Sequence, residues 1–360
     1  MHLIEFLEQR SVPAAGISLA LTRRCPLSCA HCATHSTMSS DESPAETFLR
    51  FVDTFTVDDH PAVVAISGGE AFLRADLMVR VAERARASGS AIAALSGMYW
   101  ATASRIPPAI KRAIDSLDHF SASMDIFHER EVPRADVYRA LEQLVGEGKD
   151  VSIHLVGLDA DDPYLAEVTD EVIERFDGRV PMLVNTVNPM FGRAKEWAEQ
   201  PVFIGGAPIE ADPCTLAFWP VLAFDGTIVA CGNDDVVDGP APAHLRLGHA
   251  TTDSWSTIRE RSLNWGVLRG IRSYGPEYLA DRAGVGDTCD GYCGTCQKLS
   301  DHESTIDQIV ELMARPSSKV IEDHALAIQH QAGPVAFIQR YGLGRYADLV
   351  TLGAPVSAAS

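Results

Sequence analysis

Three cysteines in the segment Cys25-Pro26-Leu27-Ser28-Cys29-Ala30-His31-Cys32 carry the most specific chemistry in this chain. Three thiolates leave one iron of a [4Fe–4S] cube without a protein ligand, whereas a cluster that only carries electrons is usually held by four. A missing ligand in a tight loop therefore points to an iron that binds something other than protein. The competing readings are part of a zinc knuckle or three incidental core cysteines. The run Gly16–Thr22 ahead of the loop alternates apolar and small residues and reads as a strand. The loop then lies at the carboxyl end of a sheet, where parallel β/α folds gather their chemistry.

A second strand, Ala62-Val63-Val64-Ala65-Ile66-Ser67, runs into Gly68-Gly69-Glu70. The glycines allow close backbone approach, and Glu70 can accept a charge-assisted hydrogen bond from an ammonium group. Together the two segments resemble the C-x3-C-x-φ-C and Gly-Gly-Glu motifs of the radical S-adenosylmethionine (SAM) superfamily. The resemblance implies that Cys25, Cys29 and Cys32 hold a [4Fe–4S] cluster whose open iron chelates SAM, with Gly68, Gly69 and Glu70 at the SAM ammonium. Ser123 and Asp125, closing the fourth strand, resemble the family's Ser-x-Asp contact to SAM. His31 is expected against adenine or cluster. Ser96-Gly97 stands where the family has Thr-Asn-Gly, without the amide.

Five further cysteines follow: Cys214, Cys231, Cys289, Cys293 and Cys296. Two apolar runs joined by Asp225-Gly226 predict a hairpin, which would bring Cys214 and Cys231 to neighbouring strand ends. Cys293-Gly294-Thr295-Cys296 adds a C-x2-C knuckle. Spacing alone admits zinc or iron–sulfur. The C-x(9–15)-G-x4-C element resembles the SPASM and twitch domains that follow many radical SAM barrels, which implies an auxiliary [4Fe–4S] cluster. The C-x5-C-x3-C continuation is missing, as in the short twitch form of the aminocyclitol dehydrogenases of antibiotic biosynthesis. Cys289 is left as a further ligand, a hydrogen-atom donor in catalysis, or a spare thiol.

The elements that must position these residues alternate. Strand-like runs at 16–22, 62–67, 90–96, 118–124, 150–157 and 180–187 are separated by helix-like runs near 44–57, 74–88, 106–116, 136–147 and 163–176. Ser43-Pro44-Ala45-Glu46 reads as a capping box, and Val137, Ala140, Leu141, Leu144 and Val145 form a core-facing stripe. Repeated βα units imply a parallel sheet with right-handed crossovers. The expected fold is α/β, a partial (β/α)6 barrel like a TIM barrel with a cysteine-rich hairpin and helix domain after it. The expected division is 1–200 for the radical core, 201–300 for the auxiliary-cluster part and 301–360 for a helical tail that matches nothing recognisable.

At 360 residues and 46% hydrophobic, the chain can bury a full core. Its formal charge of −19 disfavours nucleic acid and anionic lipid as partners. No run reaches the ~20 apolar residues of a membrane span, and thiols in this number suit a cytoplasmic metalloprotein. The expected activity is that of a radical SAM oxidoreductase acting on a sugar- or cyclitol-type molecule in natural-product biosynthesis, fed by a flavodoxin- or ferredoxin-type donor. His128 and Glu129, just after the fourth strand, are candidate bases. The alternative is crosslinking or epimerisation of a ribosomally made precursor peptide, and a metal-stabilised binding protein is a remote third. With two cubes, anaerobically reconstituted protein should bind about eight irons. Replacing Cys25, Cys29 and Cys32 together by Ala should leave about half; an iron content near one cube in wild type, with zinc present, overturns the two-cluster reading.

Overall fold

The computed structural model describes residues 1–199, 209–285 and 291–355. Six parallel strands form its centre: β1 (Gly16–Ala20), β2 (Val63–Ser67), β3 (Ala91–Ser96), β4 (His119–Met124), β5 (Val151–Gly157) and β6 (Met182–Thr186). Each pairs with its sequence neighbour in the order 6-5-4-3-2-1. Helices at Ala45–Val52, Ala75–Ser88, Pro108–Asp115, Arg134–Gly146 and Pro163–Arg175 link them. The architecture is the expected mixed α/β fold, a partial barrel of six parallel strands with antiparallel strands and helices after it.

Strand burial explains why the apolar runs settle here. Ile17, Leu19, Val64, Ile92, Phe120, Ile153, Leu155 and Val184 are all essentially inaccessible to solvent, as expected of a sheet with helices packed against it. The helix Arg134–Gly146 buries Val137, Ala140, Leu141 and Leu144 as its stripe requires, and adds Tyr138. The capping box at Ser43 does not form. Pro44 is the N-cap without a side-chain bond; the Ser43 carbonyl instead accepts from Arg74, and Glu46 pairs with Arg80. A capping box does form at His2 and Glu5, opening a helix Leu3–Arg10 that buries Leu3, Ile4 and Leu7 and was not among the expected helices.

The expected hairpin is present and continues the same sheet. β7 (Val221–Leu222) pairs parallel to β1, β8 (Thr227–Val229) returns antiparallel, and β9 (Arg246–His249) adds to β8. Asp225 accepts from the Thr227 N–H across the turn, and Gly226 takes the φ of +94° that the turn needs. The C-terminal segment is helical at Glu303–Met313 and Pro316–Tyr341, with a kink at Gly333-Pro334. It then crosses the free edge of β6, where the Leu343 N–H donates to the Val184 carbonyl. Ile338, Ala347 and Val350 pack there with Leu3 and Leu7 of the N-terminal helix. The two ends of the chain are thus clasped together beside β6.

His119 on β4 gives this fold a pH dependence. Its ring is buried between the Met1 carbonyl and the Ser152 hydroxyl, and burial pulls its pKa down to about 4. The unfolded chain binds a proton near pH 6.5 while the native state stays neutral, so this contribution is present above pH 6.5 and fades as pH falls toward 4. Lowering pH from 7.5 to 5 should cost about 2 kcal/mol through this residue. The fall in urea midpoint should be correspondingly smaller in His119→Gln; identical pH profiles would overturn the assignment.

Candidate active site

The cysteine loop leaves β1 and is laid onto the end of β2 by main-chain contacts. The Gly69 N–H donates to the Thr22 carbonyl at 2.7 Å and the Glu70 N–H to the Arg24 carbonyl at 2.8 Å. A Cβ on Gly68, whose φ is +135°, would lie 2.4 Å from the Thr22 oxygen, and one on Gly69 would lie 2.5 Å from the Arg24 oxygen. The close approach these glycines permit is therefore made first to the cysteine loop itself. Glu70 is buried and its carboxylate accepts from the Phe72 N–H, the Ser96 hydroxyl and the Gly97 N–H. It ties the end of β2 to the end of β3, and burial pushes its pKa up to about 7 against the effect of those donors.

The loop's other side is held from β4 and β6. The Asp125 carboxylate is fully buried and accepts from the Phe127 and His128 N–H groups. It also meets the rings of His31, at 3.2 Å, and His128. Among the described residues, this trio is the one group of three or more Cys, His, Asp or Glu ligand atoms lying within 4.8 Å of one another. After β6, the Arg193 N–H donates to the Cys32 carbonyl, and its guanidinium to the carbonyls of Cys29 and Ser36. Gly192 packs so tightly here that a Cβ would lie 2.1 Å from the Cys32 oxygen. Trp197 donates to the Ala30 carbonyl, and its ring meets Phe127, which lies under His31.

The candidate bases part company. His128 turns inward to Asp125 and Cys29, and although burial opposes its charge, the carboxylate holds its pKa up at about 10. Glu129 turns away and is tied to Arg134 and the Tyr164 hydroxyl. Ser123 closes β4 half-buried. Cys289 lies outside the described residues.

Cys214, Cys231, Cys293 and Cys296 line one small cavity, with Leu216, Ala217, Val236, Leu245 and Ile271. No three of their sulfurs all lie within 4.8 Å of one another, wider than the about 3.8 Å edge of a tetrahedron around one zinc with bonds of 2.3 Å. Burial pushes all four thiols upward, Cys231 to about 12, and neighbouring thiolates add to this at Cys214, Cys231 and Cys296, while Asp235 and Glu277 do so at Cys293. Burial likewise raises Cys25 to about 12. The quartet and Cys25 suit a bound cationic cluster, which would neutralise buried thiolates that are unfavourable alone.

A larger cavity of about 990 Å³ lies between the two cysteine sites. His31, His154 and Asn185 line it from the barrel, Asp234 and Cys293 from the auxiliary side, and Tyr341 from the C-terminal helix. His154 is bonded to Asn185 at 2.9 Å. Phe127, Trp197, Gly192, Asp234 and Tyr341 carried no signal in the sequence, because each acts through a contact far along the chain.

Glu70 supplies a direct test. In Glu70→Gln an amide N–H must face one of three donors, at a cost of about 1–3 kcal/mol. The variant should keep its cluster iron, melt at lower temperature and bind SAM about tenfold more weakly; unchanged melting and SAM titration would show that the bridge between β2 and β3 is dispensable.

Comparison with known proteins agrees with this geometry. No curated protein sequence matches the chain significantly. Among solved structures, SuiB of Streptococcus suis bound to S-adenosylmethionine is 14% identical over 82% of this chain and 76% of that one, with a TM-score of 0.52. Native anSMEcpe with bound AdoMet and Cp18Cys peptide is 13% identical over 86% of this chain and 99% of that one, with a TM-score of 0.50. SuiB bound to precursor peptide SuiA matches 55% of this chain and 45% of that one at 15% identity, with a TM-score of 0.42. The family model described as Radical SAM superfamily matches residues 19–198, half of the chain, from β1 through the Arg193 clamp. The chain therefore belongs to the radical SAM superfamily.

Proposed function

We propose that this enzyme oxidatively modifies a residue of a ribosomally made peptide, held in the cavity between the cysteine loop and the auxiliary cysteine quartet. The observation that carries the reading is that one cavity of about 990 Å³ has His31 in one wall and Cys293 in another. That volume is at the top of the about 300–1,000 Å³ range of ligand pockets, which suits SAM together with a substrate residue. A protein of the same fold, anSMEcpe, is described with a peptide and AdoMet bound.

In this reading residues 1–200 form the radical core and 201–300 the auxiliary part. Cys25, Cys29 and Cys32 would hold the [4Fe–4S] cluster, which would supply the reducing electron for radical chemistry on SAM. Gly68 and Gly69 seat the loop, Glu70 fixes the neighbouring strand end, and Asp125 orients His31 toward the cavity. Cys214, Cys231, Cys293 and Cys296 would hold an auxiliary cluster that takes up the second electron. A flavodoxin- or ferredoxin-type protein would deliver the first. The missing C-x5-C-x3-C run favours a second reading, oxidation of a sugar or cyclitol alcohol.

Cys296→Ala separates the roles of the two sites. The variant should lose auxiliary iron, still cleave SAM and still transfer substrate deuterium into 5′-deoxyadenosine, but form less than about a tenth of the oxidised product. Full turnover without auxiliary iron would reduce the quartet to a structural part. Assay of the wild type against its genomically neighbouring short peptides and against aminocyclitols decides the substrate class; turnover of aminocyclitols alone overturns the peptide reading.

A further inference from the structure

A second cavity, of about 440 Å³, lies on the far side of Tyr341, between the helices Gly266–Tyr274 and Pro316–Tyr341. Arg272 projects into it from the first helix. Its side chain is buried, with the residue only 5% exposed, yet its one hydrogen bond among the described residues is a long one, 3.4 Å from Nη1 to the Ala217 carbonyl. The nearby Glu322 acts on it only through space, because that carboxylate is hydrogen-bonded by Arg269 at 2.6–3.2 Å. Burial pulls the pKa of Arg272 down to about 10, which leaves it charged at neutral pH.

Two more donors share the cavity wall. Gln329 Nε2 and the Tyr341 hydroxyl are both buried and have no hydrogen-bond partner among the described residues. Buried polar groups are nearly always satisfied in native proteins, and a buried guanidinium is costly without an anionic partner. Three under-satisfied donors on one cavity, in a chain of net charge −19, call for the same missing acceptor. The lining also carries Ile321, Leu326 and Phe337, together with His324, Glu322 and Arg340, of which Glu322 is held by Arg269 and Arg340 is paired with Asp212 at 3.5 Å.

We propose that this cavity binds a carboxylate carried on an apolar body, with Arg272, Gln329 and Tyr341 as its hydrogen-bond donors. With Arg340 paired to Asp212 and Glu322 to Arg269, Arg272 is the lining guanidinium without a carboxylate partner among the described residues, and one such charge beside apolar side chains suits a monoanionic carboxylate better than a phosphate dianion. Tyr341 also lines the larger cavity, so one residue is shared by the two walls. Nothing in the radical chemistry uses these residues.

The test is calorimetric titration of the anaerobically reconstituted holoprotein with octanoate, octanol and inorganic phosphate. Octanoate should bind saturably and at least about tenfold more tightly than octanol, as expected for a charged hydrogen bond. Arg272→Met should weaken octanoate about tenfold or more, and Gln329→Leu, on a helix half open to solvent, about threefold. Octanol binding as tightly as octanoate, phosphate displacing it, or unchanged affinity in Gln329→Leu overturns the proposal even where Arg272→Met fails to fold. An acetylated Leu-Glu-Leu peptide binding more tightly than octanoate assigns the carboxylate to a polypeptide, and the reverse order assigns it to a small acid.

Discussion

The backbone of residues 22–24 rests directly on Gly68 and Gly69, and the geometry of the radical site depends on that contact. A cysteine loop of this length has little regular structure of its own, so its three sulfurs keep a fixed arrangement only if the loop is held from outside. Main-chain hydrogen bonds do this on one side, and they tolerate no side chain between the partners. Arg193 and Gly192 do it on the other, through the carbonyls of Cys29 and Cys32. The loop is clamped between the ends of β2 and β6, which lie far apart in the sheet order and meet only because the sheet curves.

The same curvature explains where the buried charges sit. Glu70 follows β2 and Asp125 follows β4, on either side of β3, and each gathers backbone and side-chain donors from elements beyond its own strand. A carboxylate with several donors stays put and pins those donors in return. The cluster loop, the His31 ring and the third strand end are thereby one connected polar unit. At the cysteine quartet four thiols share a buried cavity with apolar side chains and a few donors such as Asn233 and Tyr292, and burial still makes their charge unfavourable without a metal.

The C-terminal segment joins these two halves. It covers the free edge of β6, locks against the N-terminal helix, and contributes Tyr341 to both cavities. An exposed parallel edge strand is an unsatisfied row of backbone groups, so the tail has a structural reason to be there before any catalytic one. A segment that closes the barrel edge is also placed to line the space inside it.

Six strands and their connecting helices were legible in the chain because each is an apolar run with its own period and turn residues. The cysteine motifs were legible because ligand chemistry fixes residue type and local spacing. The Asp225-Gly226 hairpin was legible for the same local reason. Only the tertiary structure decided that Gly68 and Gly69 face the cysteine loop, that Glu70 is spent on the third strand end and that Glu129 turns away. It alone joined Arg272, Gln329 and Tyr341 around one cavity. Those relations depend on where strand ends and helices meet in space, and a contact between residues far apart in the sequence leaves no period, spacing or composition to read.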